Sequence, residues 1–113
     1  GHVASLFPNR SEIGDASGWI LPVSNSPKPP SDRITMSLGV LNAAQNIGVV
    51  AAGKGKAEVV QRVLEVQSLP GALPAQLVRP ATGVLKWYLD KSSASDINPT
   101  SWGDKKKFPR SKV

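Results

Sequence analysis

The sequence predicts an α/β domain, part of a doubly wound, mostly parallel sheet, and three observations carry that expectation. Residues 47–52 (IGVVAA) form an unbroken apolar run of strand length. From Lys56 onward, Ala57, Val59, Val60, Val63 and Leu64 fall on one helical face. Residues 83–89 then alternate Val84, Lys86 and Tyr88 with Leu85, Trp87 and Leu89, the period of a strand with one face more buried than the other. Strands that alternate with helices in this way build parallel sheets, because a parallel pair needs a crossover.

The remaining elements follow in order. Residues 19–23 are a short apolar run of strand character. It ends in residues 24–31, where Pro27, Pro29 and Pro30 remove backbone donors and fix φ, so an extended connector or ordered loop is expected. Residues 33–37 alternate again, with Ile34 and Met36 on one face, and lead into Leu38, Leu41 and Ala44 at helical spacing. The 47–52 run, apolar at every position, predicts a strand covered on both faces. Gly53 and Gly55 end it. The helix after Lys56 gains a Glu58 to Arg62 pair at i,i+4. Pro70, Pro74 and Pro80 leave room for one helical turn, over residues 75–78. Beyond Asp90 the composition turns polar: residues 92–113 read as a basic tail, with a short helix over 91–97 and disorder after it.

Composition narrows the function. A chain of 113 residues makes one small domain, and 40% hydrophobic residues are enough for a core. With no cysteine and one histidine there is no disulfide, thiol nucleophile or multi-His metal site, so metal dependence is not expected. No apolar run approaches the roughly 18 residues that span a bilayer, so no membrane partner is expected. The net charge of +6 is concentrated in the tail, where six basic residues from Lys91 onward face two acidic ones. Residues 1–90 carry eight against six, too even a balance for a nucleic-acid-binding face.

Few side chains offer chemistry. His2, the sole imidazole, follows a glycine that lets backbone approach a ligand, and as a neutral base it can take a proton from water; a solvated terminal histidine is the competing reading. Gly53-Lys54-Gly55-Lys56-Ala57 lies between a strand and a helix, where backbone N–H groups and the helix dipole favour a phosphate. It matches neither the Walker nor the dinucleotide pattern, and an ordinary turn competes equally. Arg33 opens a strand after the proline-rich loop, either toward a ligand or on the surface. Gly14-Asp15-Ala16-Ser17-Gly18 is not a GxSxG elbow. Trp87 and Tyr88 read as strand partners rather than a base-stacking platform.

Taken in order, GHVASLFP, SPKPPSDRIT, GKGKA, LPAQLV and VLKWYLDK resemble the C-terminal half of the 6-phosphogluconolactonase family, a branch of the glucosamine-6-phosphate isomerase/deaminase superfamily. The resemblance covers residues 1–91 and implies a portion of a larger single domain. The family motif carries an aspartate just before the Gly-His pair, and this chain starts at Gly1, so a fragment is expected whose isolated form is inactive. Deaminases have a glutamate where Phe7 stands and lack the arginine that Arg33 supplies, which favours the lactonase branch.

The implied reaction is hydrolysis of 6-phospho-D-glucono-1,5-lactone to 6-phosphogluconate in the oxidative pentose phosphate pathway, by a carboxylic ester hydrolase. The resemblance makes His2 the proton-transfer residue and Lys56, rather than Lys54, the phosphate ligand, with Arg33 as its helper. It implies no metal or organic cofactor, a sugar-phosphate lactone as partner, and a monomer when complete. The alternatives are a glucosamine-6-phosphate deaminase-like enzyme, a sugar-phosphate binder without catalysis, and a basic-tail binding module. Cytoplasm is the expected compartment, with peroxisome as the second option because Ser111-Lys112-Val113 approximates the S-K-L signal.

Overall fold

Two separate sheets organise the chain in the computed structural model, which describes residues 1–66, 73–98 and 111–112. The first is an antiparallel ribbon of β1 (Ile20–Val23) and β2 (Arg33–Met36), with Leu21 opposite Thr35 and Val23 opposite Arg33. The second has the order β3-β4-β5. In it β3 (Asn46–Ala51) runs parallel to β4 (Val84–Leu89), Ile47 opposite Leu85 and Val49 opposite Trp87, and β5 (Ser111–Lys112) pairs parallel to β4. Helix α1 (Leu38–Asn42) joins the ribbon to β3, while α2 (Ala57–Glu65) and α3 (Pro74–Leu77) lie in the crossover from β3 to β4. The α/β class and the parallel pair are those expected from the sequence.

Helix α2 buries Ala57, Val60 and Val63, the stripe anticipated from its spacing. Val63 meets Ala75, Val78, Leu85 and Trp87 in one apolar cluster, so the helix, the single turn of α3 and the inner face of β4 share a core. A fully buried valine such as Val60 contributes on the order of 1.5–3 kcal/mol over its exposed state. Gln76 fixes the two helices to each other: its Nε2 donates to Arg62 O (3.1 Å) and Val66 O (3.2 Å), and its Oε1 accepts from Leu73 N (3.0 Å). The Glu58–Arg62 pair does not form. The ion pairs among the described residues are Arg10–Glu12 and Lys54–Asp96. An exposed i,i+4 pair gains too little in water to hold two long side chains in place.

Three further expectations are corrected. Residues 33–36 do not join the parallel sheet, and their buried face is the polar one. Thr35 is 3% exposed and Ile34 75%. The reason is local: Thr35 Oγ1 accepts from Ser5 N (3.1 Å) and donates to Met36 O (2.9 Å), a fully paired buried hydroxyl that holds the ribbon against the first turn of the chain. Second, among the described residues β3 has cover on one face only. The helical cover described, α2 and α3, packs on the side of Ile47, Val49, Leu85 and Trp87, and leaves Val50 77% exposed. Third, residues 91–96 are turns rather than a helix, closed by Ala94 N to Asp90 O (3.1 Å) and by the buried Ser93, whose Oγ donates to Ala51 O (3.0 Å). Of the tail expected to be disordered, Ser111–Lys112 is strand. Residues 99–110 and Val113, the last residue of the terminal tripeptide, lie outside the described residues. Among the described residues no helix is long and apolar enough to cross a membrane.

Candidate functional site

The segment GHVASLFP folds into a tight reversal in which Leu6 N donates to Val3 O (2.9 Å) and Ala4 sits at φ 49°. The reversal returns Phe7 to His2. Their rings stack with centroids 4.7 Å apart and planes 19° apart. The start of the segment is tied to α3 through Ala75 N to Gly1 O (3.0 Å). A Cβ on residue 1 would lie 2.9 Å from Leu73 Cβ, so Gly1 permits close packing on Leu73.

Arg33 takes a place beside Phe7, its guanidinium carbon 5.3 Å from the ring centroid. Its donors face the proline-rich loop: Nε donates to Pro30 O (3.0 Å), and Nη2 to Pro29 O (2.9 Å) and Lys28 O (3.1 Å), while Nη1 reaches Ser5 Oγ only at 3.5 Å. Phe7 thus contacts both His2 and Arg33.

Lys56 arrives from the other sheet. Strand β3 ends at Ala51, Gly53 turns the chain at φ 94°, ψ 152°, a conformation other residues rarely adopt, and one 3-10 turn leads into α2. Asp90, at the carboxyl end of the neighbouring β4, fixes this turn by accepting from Gly53 N through both carboxylate oxygens (3.2 Å each) and from Ser93 N (2.8 Å). These bonds, with Ser93 first, hold the Asp90 carboxyl below its ordinary range. The Gly53 amide, read from the sequence as a phosphate donor, is therefore engaged. The two lysines differ: Lys54 Nζ donates to Ser95 Oγ (2.7 Å) and faces Asp96 (3.8 Å), whereas the Lys56 ammonium has no hydrogen-bond partner among the described residues.

His2 and Lys56 line one cleft of about 200 Å³, together with Val49–Ala52 of the strand end, Val60, and Trp87. This is the carboxyl edge of a parallel strand pair, where open α/β sheets bind ligands. Arg33 is not in its wall and joins through Phe7. Burial, then the positive charges of Lys28, Arg33 and Lys56, lower the His2 pKa below its ordinary 6.5, so the imidazole is neutral at pH 7 and free to accept a proton. The sequence reading gave no role to Lys28 or Asp90. Asp90 had a signal in its place at the end of the last apolar strand; Lys28, between prolines, read only as connector.

A family model described as glucosamine-6-phosphate isomerases/6-phosphogluconolactonase matches residues 1–87. The chain belongs to this family. It is 48% identical over 94 residues to a 6-phosphogluconolactonase of Rattus norvegicus, covering 83% of this chain and 36% of that protein, and 43% identical over 102 residues to a probable 6-phosphogluconolactonase 2 of Oryza sativa subsp. japonica, covering 87% and 36%. Among solved structures, 6-phosphogluconolactonase from Leishmania guyanensis superposes with a TM-score of 0.72 at 29% identity, over 87% of this chain and 38% of that one. The chain therefore spans little more than a third of the length of these relatives.

Proposed function

We propose that the chain is the C-terminal portion of a 6-phosphogluconolactonase domain and that its cleft hydrolyses 6-phospho-D-glucono-1,5-lactone. The observation that carries the reading is one cleft shared by a neutral histidine and, at a helix start, a lysine unengaged among the described residues. The lactonases among its relatives support the same reaction.

In this reading Lys56 and the start of α2 hold the 6-phosphate, which fixes the lactone carbonyl beside His2. The imidazole takes a proton from water as the water oxygen bonds to C1, and the carbonyl π pair moves to its oxygen. Collapse restores the carbonyl, breaks the bond from C1 to the ring oxygen, and returns the proton from the imidazolium to that oxygen. The product acid then loses a proton to solvent. Arg33, with three of its N–H groups on loop carbonyls, adds charge to the site. Phe7, where a deaminase has a carboxylate, leaves His2 without an acidic partner on that side, which favours the lactonase over the deaminase.

The test is an assay of the complete protein on both substrates. Lactone loss above the spontaneous rate with no ammonia from glucosamine 6-phosphate supports the reading. Ammonia release without lactone hydrolysis moves the chain to the deaminase branch, and phosphate-dependent binding with neither activity makes it a binder.

A further inference from the structure

We propose that Asp90 is a positioning residue of this site: it holds the turn over residues 53–56 so that Lys56 meets the substrate phosphate in the cleft. The inference rests on the lactonase reading and names what keeps its phosphate lysine in place.

The turn has little to hold it from within. Gly53 and Gly55 flank Lys54, and glycine loses more backbone freedom on ordering than any other residue. Gly53 stands at φ 94°, ψ 152°, and nothing lies within 4 Å of where its Cβ would be, so glycine serves the backbone conformation there rather than space. The bonds that the turn makes within itself run from Lys56 N to Gly53 O (3.1 Å) and from Ala57 N to Lys54 O. The Gly53 amide is left to be fixed from outside.

Asp90 supplies that hold. Ala51 is the register partner of Leu89 at the end of the β3–β4 pair, so Asp90 is the first residue past the ladder, and its carboxylate reaches across the strand ends to Gly53 N, both oxygens at 3.2 Å. Such a bond is charge-assisted and stronger than a neutral one. Asp90 is itself seated by Ser93, which is fully buried. Ser93 N donates to Asp90 Oδ1 (2.8 Å), Asp90 N donates to Ser93 Oγ (3.2 Å), and Ser93 Oγ donates to Ala51 O (3.0 Å). Ala51, Ala52 and Lys56 line the cleft with His2, so the network meets the cleft wall at Ala51 and, through Gly53, beside Ala52. The segment after Asp90 also takes Lys54, through Ser95 Oγ (2.7 Å) and Asp96 (3.8 Å). One lysine of the turn is thus tied to residues 95–96, and Lys56 is left to the phosphate. His2 is carried by a different segment, tied to α3 through Gly1 O, so a loosened turn displaces Lys56 and leaves the imidazole in place.

The experiment uses the complete protein with Asp90→Ala, Asp90→Asn and Lys56→Ala, and each Asp90 substitution combined with Lys56→Ala. It measures lactone turnover, the Kd of 6-phosphogluconate by calorimetry, and amide hydrogen exchange across residues 53–57. Asp90→Ala should raise Kd and KM roughly tenfold, change kcat less than about threefold, and speed exchange at Gly53. Asp90→Asn keeps one acceptor oxygen and should raise Kd about threefold. With Lys56→Ala already present, neither Asp90 substitution should weaken binding further, because the lysine it positions is gone. A residue that merely supported the fold would weaken binding equally in both backgrounds. Equal losses in the two backgrounds, unchanged exchange at Gly53, or a wild-type Kd in both Asp90 variants overturns the proposal. If Asp90→Ala fails to fold, the asparagine pair decides by the same criteria. Absence of wild-type turnover with 6-phosphogluconate still bound refutes the lactonase reading alone, and the two backgrounds still report on Asp90; absence of both refutes both.

Discussion

The His2 imidazole lies nearly flat on the Phe7 ring, 4.7 Å between centroids, and the Arg33 guanidinium lies over the same ring at 5.3 Å from its centroid. Phe7 is 3% exposed, so one buried ring sets the orientation of the proposed base and of the loop clamp together. Phe7→Leu keeps apolar bulk but removes both π contacts, each of about 0.5–1.5 kcal/mol. The expected result is a modest loss of stability and a fall of at least tenfold in kcat with substrate affinity nearly unchanged. Equal kcat for the two proteins would mean that stacking does not orient His2.

The pH profile follows from the direction of the His2 shift. Burial and the positive charges of Lys28, Arg33 and Lys56 all disfavour the imidazolium, so the folded protein binds the proton more weakly than the unfolded chain. The His2 contribution to stability is therefore complete above its ordinary 6.5 and declines as pH falls through that value toward the folded pKa. The acid limb of kcat/KM should lie below 6.5, and in Lys28→Gln it should move upward. A limb above 6.5 in the unaltered protein contradicts this electrostatic picture.

Lys54 and Lys56 are two residues apart and are expected to behave differently. Lys54 is held by Ser95 and Asp96 on an exposed surface, an arrangement of about 0.2–1 kcal/mol. Lys56 lines the cleft. A hydrogen bond to a charged group is worth about 1.5–3 kcal/mol, so Lys56→Ala should raise the Kd of 6-phosphogluconate roughly 10- to 100-fold, and Lys54→Ala less than about threefold. Titration calorimetry on the two variants separates them; equal small effects return the segment to an ordinary turn.

Where the sequence was readable, a local period carried the information. Ala57, Val60 and Val63 repeat as a buried helical stripe, and Leu85 and Trp87 alternate as a buried strand face, because each pattern is decided by neighbours in the same element. The 47–52 run shows what an apolar residue states: a preference for cover, not that this chain supplies it, and in a chain that spans little more than a third of its relatives' length Val50 stands open. In β2 the apolar pair Ile34 and Met36 suggested the inner face, yet the inner face meets a backbone amide, Ser5 N, which the Thr35 hydroxyl satisfies. His2, Arg33 and Lys56 were found through motif resemblance, not periodicity. Lys28 was invisible because its setting depends on an arginine that follows it by five residues and folds back over it.

The open faces make a prediction for the isolated chain. Trp19 (80% exposed), Ile34, Val50 and Tyr88 present apolar surface, and among the described residues β3 ends the sheet with one edge unpaired. A 113-residue polypeptide should associate and unfold without a sharp transition, and should show no turnover above the spontaneous rate. Light scattering with differential calorimetry reads this directly. A monomer with one cooperative transition would show that the chain covers its own core.

The central claim, that His2 moves the proton in lactone hydrolysis, is tested most directly by kcat of His2→Ala in the complete protein, corrected for spontaneous hydrolysis. The account predicts a fall of roughly 10²- to 10⁴-fold with 6-phosphogluconate still bound, because Lys56 and the start of α2 are untouched. Turnover near that of the unaltered protein would contradict it.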